Sequence, residues 1–322
     1  MSATSIGGQA VPEGVMLRGA AGWALAVRRT DGTIAISTQR AARGRGGFAR
    51  RPFVRGLAAV GDAFVLGLRT LNAAVLLRHP IAPPPPTARA RVWGTISLLG
   101  AVAFAAALFG FLPTVIASNF DGTAGHVAEP LTRTAAIVTY IAAVGLLPEV
   151  RRVFGYHGAE HQVVSAYEAS APGSAVSAPH AAAHSRFHPR CGTTFIVFVA
   201  LVEGLVHALP MLPASPMARA VEVPLAIMLA YEAVYLATNH RRRWWARIVL
   251  APGRALQRLT TRPPDLGQLE VGCAALDALL LLECGTRSED QDQQQDYQQK
   301  NDKSTTDVHG SSSSEVACSV PA

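Results

Sequence analysis

Apolar residues gather in long runs through the middle of the chain and thin out toward both ends. From Val92 to Ala117 no charged residue occurs, and a helix of about 20 apolar residues suffices to cross a bilayer. Residues 134–148 form a shorter run that extends back to Leu131. Residues 193–213 are long enough but contain Glu203 and His207, and residues 221–238 hold Glu222 at the edge and Glu232 within. The pattern predicts four spans over 92–240, with buried core helices as the alternative reading of the last three.

Before these runs the period shortens. Trp23–Arg29 and Thr33–Ser37 read as strands around Thr30-Asp31-Gly32, a hairpin signal. Gly7, Gly8, Gly14 and Gly19 interrupt the segment ahead of them. Residues 1–52 are thus expected to form a small glycine-rich β-hairpin unit that ends in an Arg/Gly loop over 40–51. In residues 53–78, Arg55, Asp62 and Arg69 recur every seventh position, which predicts an amphipathic helix lying on the membrane or packed on the core. Pro83 to Pro86 stiffen the linker that completes the 53–91 segment.

After the last run, residues 241–285 are expected to be helical, with Leu269, Cys273, Leu276 and Leu280 at helical spacing. The Gln, Asp and Ser-rich tail over 286–322 cannot bury a core and is expected to be disordered. The fold class is therefore mainly α and integral to a membrane: about four transmembrane helices, a small N-terminal β-hairpin unit and cytosol-facing helices.

Charge sharpens this picture. Residues 1–286 carry 26 Arg against 15 acids, and residues 287–322 carry 3 bases against 7 acids, so the net +7 hides a basic body with an acidic tail. The arginines flank apolar runs and do not alternate with aromatics on one surface, which argues against a nucleic-acid partner and for a bilayer with anionic headgroups. Thirteen Arg precede the first run and seven lie in 241–262, whereas 118–133 holds only Arg133 and 214–220 only Arg219. By the positive-inside rule both termini and the 151–192 loop face the cytosol, or the stroma in a plastid. Cys191, Cys273, Cys284 and Cys318 include no C-x-x-C pair, which fits a reducing compartment. The N-terminus shows neither a signal-peptide core nor a transit segment.

Candidate chemistry sits in the basic 151–192 loop. His157 and His161 are four apart in Tyr156-His-Gly-Ala-Glu-His161. On a helix they project from one face, about 40° apart and roughly 6 Å along the axis. Two imidazoles so placed can hold one metal ion, with Glu160 beside them as general base. His188 and Cys191 follow at the entry of the next run, so antiparallel neighbouring spans bring both halves to one membrane face. His, His, His and Cys with an open position suit zinc. Glu168 lies about 10 Å along the helix axis from His161 and cannot share an ion with both histidines. The alternative is an interfacial polar cluster in which Glu160 pairs with Arg152 or Arg190. His180 and His184 are expected to be solvent-exposed. Glu203 and His207 are expected to reach water at the far interface, and Glu232 stays open as an intramembrane functional candidate.

Several stretches together resemble the YqhQ-like membrane proteins. They are Gly7–Gly19, Tyr156–His161 with Tyr167-Glu168, His188–Phe195, Tyr231-Glu232, Leu256–Arg262 and Gln268–Val271. The resemblance implies a multi-span bacterial protein with relatives in photosynthetic eukaryotes, and a metal-dependent enzyme of unknown function. It adds Gln9, Glu13 and Arg18 to the candidate site and makes a bacterial plasma membrane or a plastid membrane the expected location. The resulting expectation is a membrane-embedded hydrolase with zinc on His157, His161, His188 and Cys191. Glu160 and Arg190 would be catalytic, and the substrate lipid-linked or membrane-near. A non-catalytic transporter or assembly factor is the alternative. Nothing in the sequence fixes the oligomeric state.

Overall fold

The computed structural model describes residues 6–41, 51–79, 87–171, 173–207 and 216–303. The Pro83–Pro86 linker, most of the 40–51 loop and the tail from 304 onward lie outside the described residues.

The N-terminal unit is an antiparallel meander of four strands, β1 (Gly7–Val11), β2 (Gly14–Arg18), β3 (Gly22–Arg28) and β4 (Ile34–Arg40), in that spatial order. The β3–β4 hairpin is the one the sequence predicts. Gly32 takes φ 87°, and the Asp31 carboxylate accepts the Thr33 N–H at 2.9 Å to close the turn. The β1–β2 hairpin is an addition. Val11 pairs with Gly14, leaving Pro12-Glu13 as the turn, and Glu13 adopts φ 58°, a left-handed conformation that turns usually assign to Gly or Asn.

Alternate residues serve the two faces of this sheet. Val15, Leu17, Ala24 and Ala26 pack against α5 (Pro148–Ala169) and α10 (Leu266–Lys303). Met16, Leu25 and Val27 pack against Ala74 of α1 (Val54–Leu77). Both faces are thus covered by helices.

The apolar runs become α2 (Ala88–Ala105), a π-helical stretch at Ala106–Phe111, α3 (Leu112–Ala117), α4 (Thr123–Val144), α7 (Gly192–His207) and α8 (Pro216–Asn239). The short α6 (Ala178–Ala182) lies in the loop after α5, and α9 (Trp244–Thr260) follows α8. Three helical segments among the described residues are long and apolar enough to cross a membrane: Val54–Leu77, Ala88–Ala117 and Val221–Asn239.

This set differs from the four spans read in the sequence. α1, expected as an amphipathic helix, qualifies by length while its last turns pack on the sheet. The run at 134–148 does not stand alone: its helix begins at Thr123 and so takes in Glu129 and Arg133, and it counts only with α5, from which it is bent by 101°. α7 is apolar from Phe195 to Val206, short of the roughly 20 residues a crossing takes, and residues 208–215 lie outside the described residues. The bend between α4 and α5 is what places the site. It turns the chain out of the apolar helices and lays α5 on the sheet beside α10.

Two groups of charged residues inside the apolar helices are paired. Glu232 of α8 accepts from Arg55 Nε of α1 at 2.8 Å and from the Phe53 N–H at 2.9 Å. Arg55 also lies 4.1 Å over the Tyr235 ring. Glu203 pairs with Arg133 of α4, which also reaches Glu129 at 2.8 Å.

Candidate metal centre

His157 and His161 lie on α5, one turn apart, with ring centroids 4.5 Å apart. Cys191 closes the group from the start of α7, with Sγ 3.3 Å from His157 Nε2. One ligand atom from each of the three residues lies within 4.8 Å of the others.

What surrounds these side chains fixes the tautomers of the two histidines. His157 Nδ1 is 2.9 Å from the Thr260 carbonyl, and His161 Nδ1 is 2.6 Å from the Arg186 carbonyl. A carbonyl oxygen only accepts, so in both neutral rings Nδ1 carries the proton and Nε2 keeps its lone pair. That is the arrangement by which metal-ligating histidines are usually oriented from behind. The Cys191 sulfur is 3.0 Å from the Thr193 hydroxyl.

Glu160 is buried, with Oε2 3.5 Å from His161 Nε2. Burial pushes its carboxyl above the usual range, opposed by the positive charge that His157 and His188 can carry. Gly8 of β1 lies directly against it: a Cβ there would fall 2.5 Å from Glu160 Oε1. The arginines that the polar-cluster reading assigns to Glu160 are engaged elsewhere. Arg152 pairs with Glu13, and Arg190 pairs with Glu168.

His188 stands apart from the three-residue group, its ring centroid 5.9 Å from that of His161. Its backbone is clamped by Gln257 of α9, whose Oε1 accepts the His188 N–H at 2.9 Å and whose Nε2 donates to the His188 carbonyl at 2.8 Å. Its Nδ1 accepts the Arg190 N–H at 3.4 Å, which leaves Nε2 as the protonated nitrogen, 3.5 Å from Glu168 Oε2. This is the opposite tautomer from the other two histidines. Burial holds the His188 pKa below its ordinary value; Glu160 opposes the shift and the Arg241 charge adds to it. Arg190 is likewise lowered, first by burial and then by Arg241. His157, Glu160, His161, His188, Arg190 and Cys191 all line one cavity of about 30 Å³, enough for a water molecule.

The other sequence candidates have structural neighbours of their own. Glu13 receives Arg152 Nη2 at 2.7 Å and the Tyr156 hydroxyl at 3.2 Å. Burial raises its carboxyl, but these bonds and the nearby arginines outweigh burial and hold it below the usual range. The Tyr156 hydroxyl is pushed up to about 12 by burial and by the Glu13 charge. Gln9 points toward Gly67 of α1, Arg18 is exposed at the end of β2, and Glu232 belongs to the α1–α8 contact. His180 and His184 stack on each other at 4.9 Å and do not line the cavity of the cluster.

The supporting residues Gly8, Arg186, Thr260 and Gln257 do not emerge from spacing arguments. Two of them act through backbone carbonyls, which no side-chain pattern reveals. The glycine pair Gly7-Gly8 and the Leu256–Arg262 stretch are the available signals.

Residues 51–281 match the family described as "Protein of unknown function (DUF1385)". A curated relative, "Uncharacterized protein YqhQ" of Bacillus subtilis (strain 168), is 30% identical over 300 residues, covering 86% of this chain and 92% of its own length. No solved structure matches the chain.

Proposed function

The chain belongs to the DUF1385 family of proteins of unknown function, and from its site geometry we propose that it is a membrane-embedded metal-dependent hydrolase. The observation that carries this reading is the pair of carbonyls behind His157 and His161, which leave a lone pair on each Nε2, that of His157 facing Cys191. The donor set fits zinc. With Zn–N near 2.0–2.1 Å and Zn–S near 2.3 Å, a tetrahedral site separates N and S by about 3.6 Å, close to the 3.3 Å between His157 Nε2 and Cys191 Sγ. His157, His161 and Cys191 would hold the ion, with His188 lining the same cavity.

Bound there, zinc with three protein ligands supplies Lewis acidity at an open fourth position. Glu160 is placed to take a proton from a water in the cavity on Oε2 and return it to a leaving group. Arg190, anchored by Glu168, provides fixed positive charge for an anionic transition state. The cavity lies where α7 leaves the cluster for the apolar helices, which favours a lipid-linked or membrane-near substrate. The arginine distribution along the chain favours the cytosolic or stromal face.

A Glu160→Gln variant tests the catalytic part. The full chain, reconstituted with a polar lipid extract, is expected to change lipid composition measured by mass spectrometry. Glu160→Gln is expected to retain zinc and lose that conversion by at least a hundredfold, at the lower end for a general base. Equal conversion by a zinc-loaded Glu160→Gln protein would refute the assigned role. No lipid conversion by the wild type would favour a non-catalytic transporter or assembly factor.

A further inference from the structure

α9 has two working faces, and the candidate metal centre uses only one. Its inner face supplies Gln257, which grips the His188 backbone, and the Thr260 carbonyl behind His157. Its outer face carries Arg247, Arg254 and Arg258 at i, i+7 and i+11, which keeps all three within about 20° of one line on a 3.6-residue helix. Ala251 and Ala255 lie between them, so the guanidiniums border a floor of little side-chain bulk.

Opposite this stripe runs the loop that carries His188. Residues alternate along it: His188 and Arg190 line the inner cavity, while Phe187 and Pro189 face outward. With Arg241 from the α8–α9 turn they complete a cleft of about 720 Å³, within the range of small-molecule sites. Four arginines line it and no carboxylate does. Among the described residues none of the four forms an ion pair. Like charges gathered without counterions are a ready site for an anion, and guanidinium forks match phosphate oxygens in pairs.

The surroundings say which phosphate. α9 starts a few residues after the apolar α8 ends at Asn239. Beside its arginine stripe runs an apolar strip in which Trp244 is 74% and Ile248 64% exposed. A basic stripe next to exposed Trp and Ile, directly after a candidate span, is the signature of a helix lying in the bilayer interface. Arg241 reaches further still, since its charge acts on both His188 and Arg190.

We propose that the cleft between α9 and the 185–189 loop binds the phosphate headgroup of an anionic phospholipid, with its acyl chains along Trp244 and Ile248. The binding requires no metal at the His/Cys cluster, so it stands or falls separately from the enzymatic reading.

The test uses the full chain in neutral-detergent micelles and the fluorescence anisotropy of labelled phosphatidylglycerol and labelled phosphatidylcholine. Phosphatidylglycerol is expected to bind saturably and at least tenfold more tightly than phosphatidylcholine. Arg254→Gln/Arg258→Gln is expected to lose at least tenfold in affinity for phosphatidylglycerol with an unchanged thermal transition, and Arg254→Lys/Arg258→Lys to lose less. Inorganic phosphate, at concentrations where unlabelled phosphatidylglycerol displaces the probe, is expected to leave it bound. Equal affinity for the two lipids, undiminished binding by the Gln variant, or displacement by phosphate at those concentrations would each overturn the proposal.

Discussion

Gly158→Ala is expected to destabilise the fold and weaken metal binding together. Gly158 lies on the face of α5 crossed by the segment between α9 and α10. There the Arg262 N–H donates to the Phe154 carbonyl at 2.9 Å. A Cβ on residue 158 would fall well inside contact distance of the Arg262 carbonyl oxygen and 3.3 Å from Pro264 Cδ. Backbone cannot swing aside as a side-chain tip can, so the segment must shift as a whole. Thr260, whose carbonyl holds His157 Nδ1, lies two residues upstream. Overpacking of this kind costs about 1–3 kcal/mol, and here it also disturbs the group that orients a ligand. Thermal unfolding and zinc affinity of the purified full chain are both expected to fall. Gly61→Ala on exposed α1, where nothing lies within 4 Å, serves as control and is expected to gain about 0.5–1 kcal/mol from helix propensity. Equal transitions for the two variants would disprove the close crossing at Gly158.

Arg133→Met is expected to have the larger effect on stability. Arg133 stands among apolar helices and ties three of their segments together. It pairs with Glu203 of α7, donates to Glu129 at 2.8 Å, and donates from Nε to the Phe109 carbonyl at 3.0 Å in the π-helical stretch. Side-chain exposure is 15% for Arg133, 7% for Glu129 and 11% for Glu203. Removing the cation leaves two carboxylates together in an apolar setting. Losing one partner of a buried pair costs about 3–5 kcal/mol. Yield and melting temperature in detergent are expected to drop sharply for Arg133→Met. Adding Glu129→Gln and Glu203→Gln is expected to restore most of the loss, because the orphaned charges go with them. Wild-type stability in the single variant would contradict the pairing.

Arg133 also illustrates why one part of the fold was hidden in the sequence. A charge at this position shortens the apolar run, and its neutralising partner Glu203 is seventy residues away on another helix. The run at 92–117 was legible because a span needs no partner to be recognised. The β3–β4 hairpin was legible because Thr30-Asp31-Gly32 encodes its turn locally. The β1–β2 hairpin was harder to see for two reasons. Its turn puts Glu13, not Gly, at positive φ, and the residues Val15-Met16-Leu17 of β2 are buried on both faces, which erases the alternation that marks a half-exposed strand.

The site divides the same way. Four-residue spacing brought His157 and His161 together on one helix face, and the antiparallel order of neighbouring runs put Cys191 at the same membrane face. Spacing also separated Glu168 from an ion shared by both histidines, and the unbroken α5 carries Glu168 to His188 and Arg190 instead. The turn of His188 away from the three-residue group depends on the Arg190 amide and the Gln257 clamp. Those are consequences of tertiary packing that no local pattern contains.

The most direct measurement is the zinc content of the detergent-purified full chain, set beside that of His161→Ala and Cys191→Ser. One zinc per wild-type chain is expected, with loss of stoichiometric metal in both variants while they remain folded and monodisperse. A metal-free wild type from zinc-replete cells, or variants that keep the full equivalent, would contradict a metal centre at His157, His161 and Cys191.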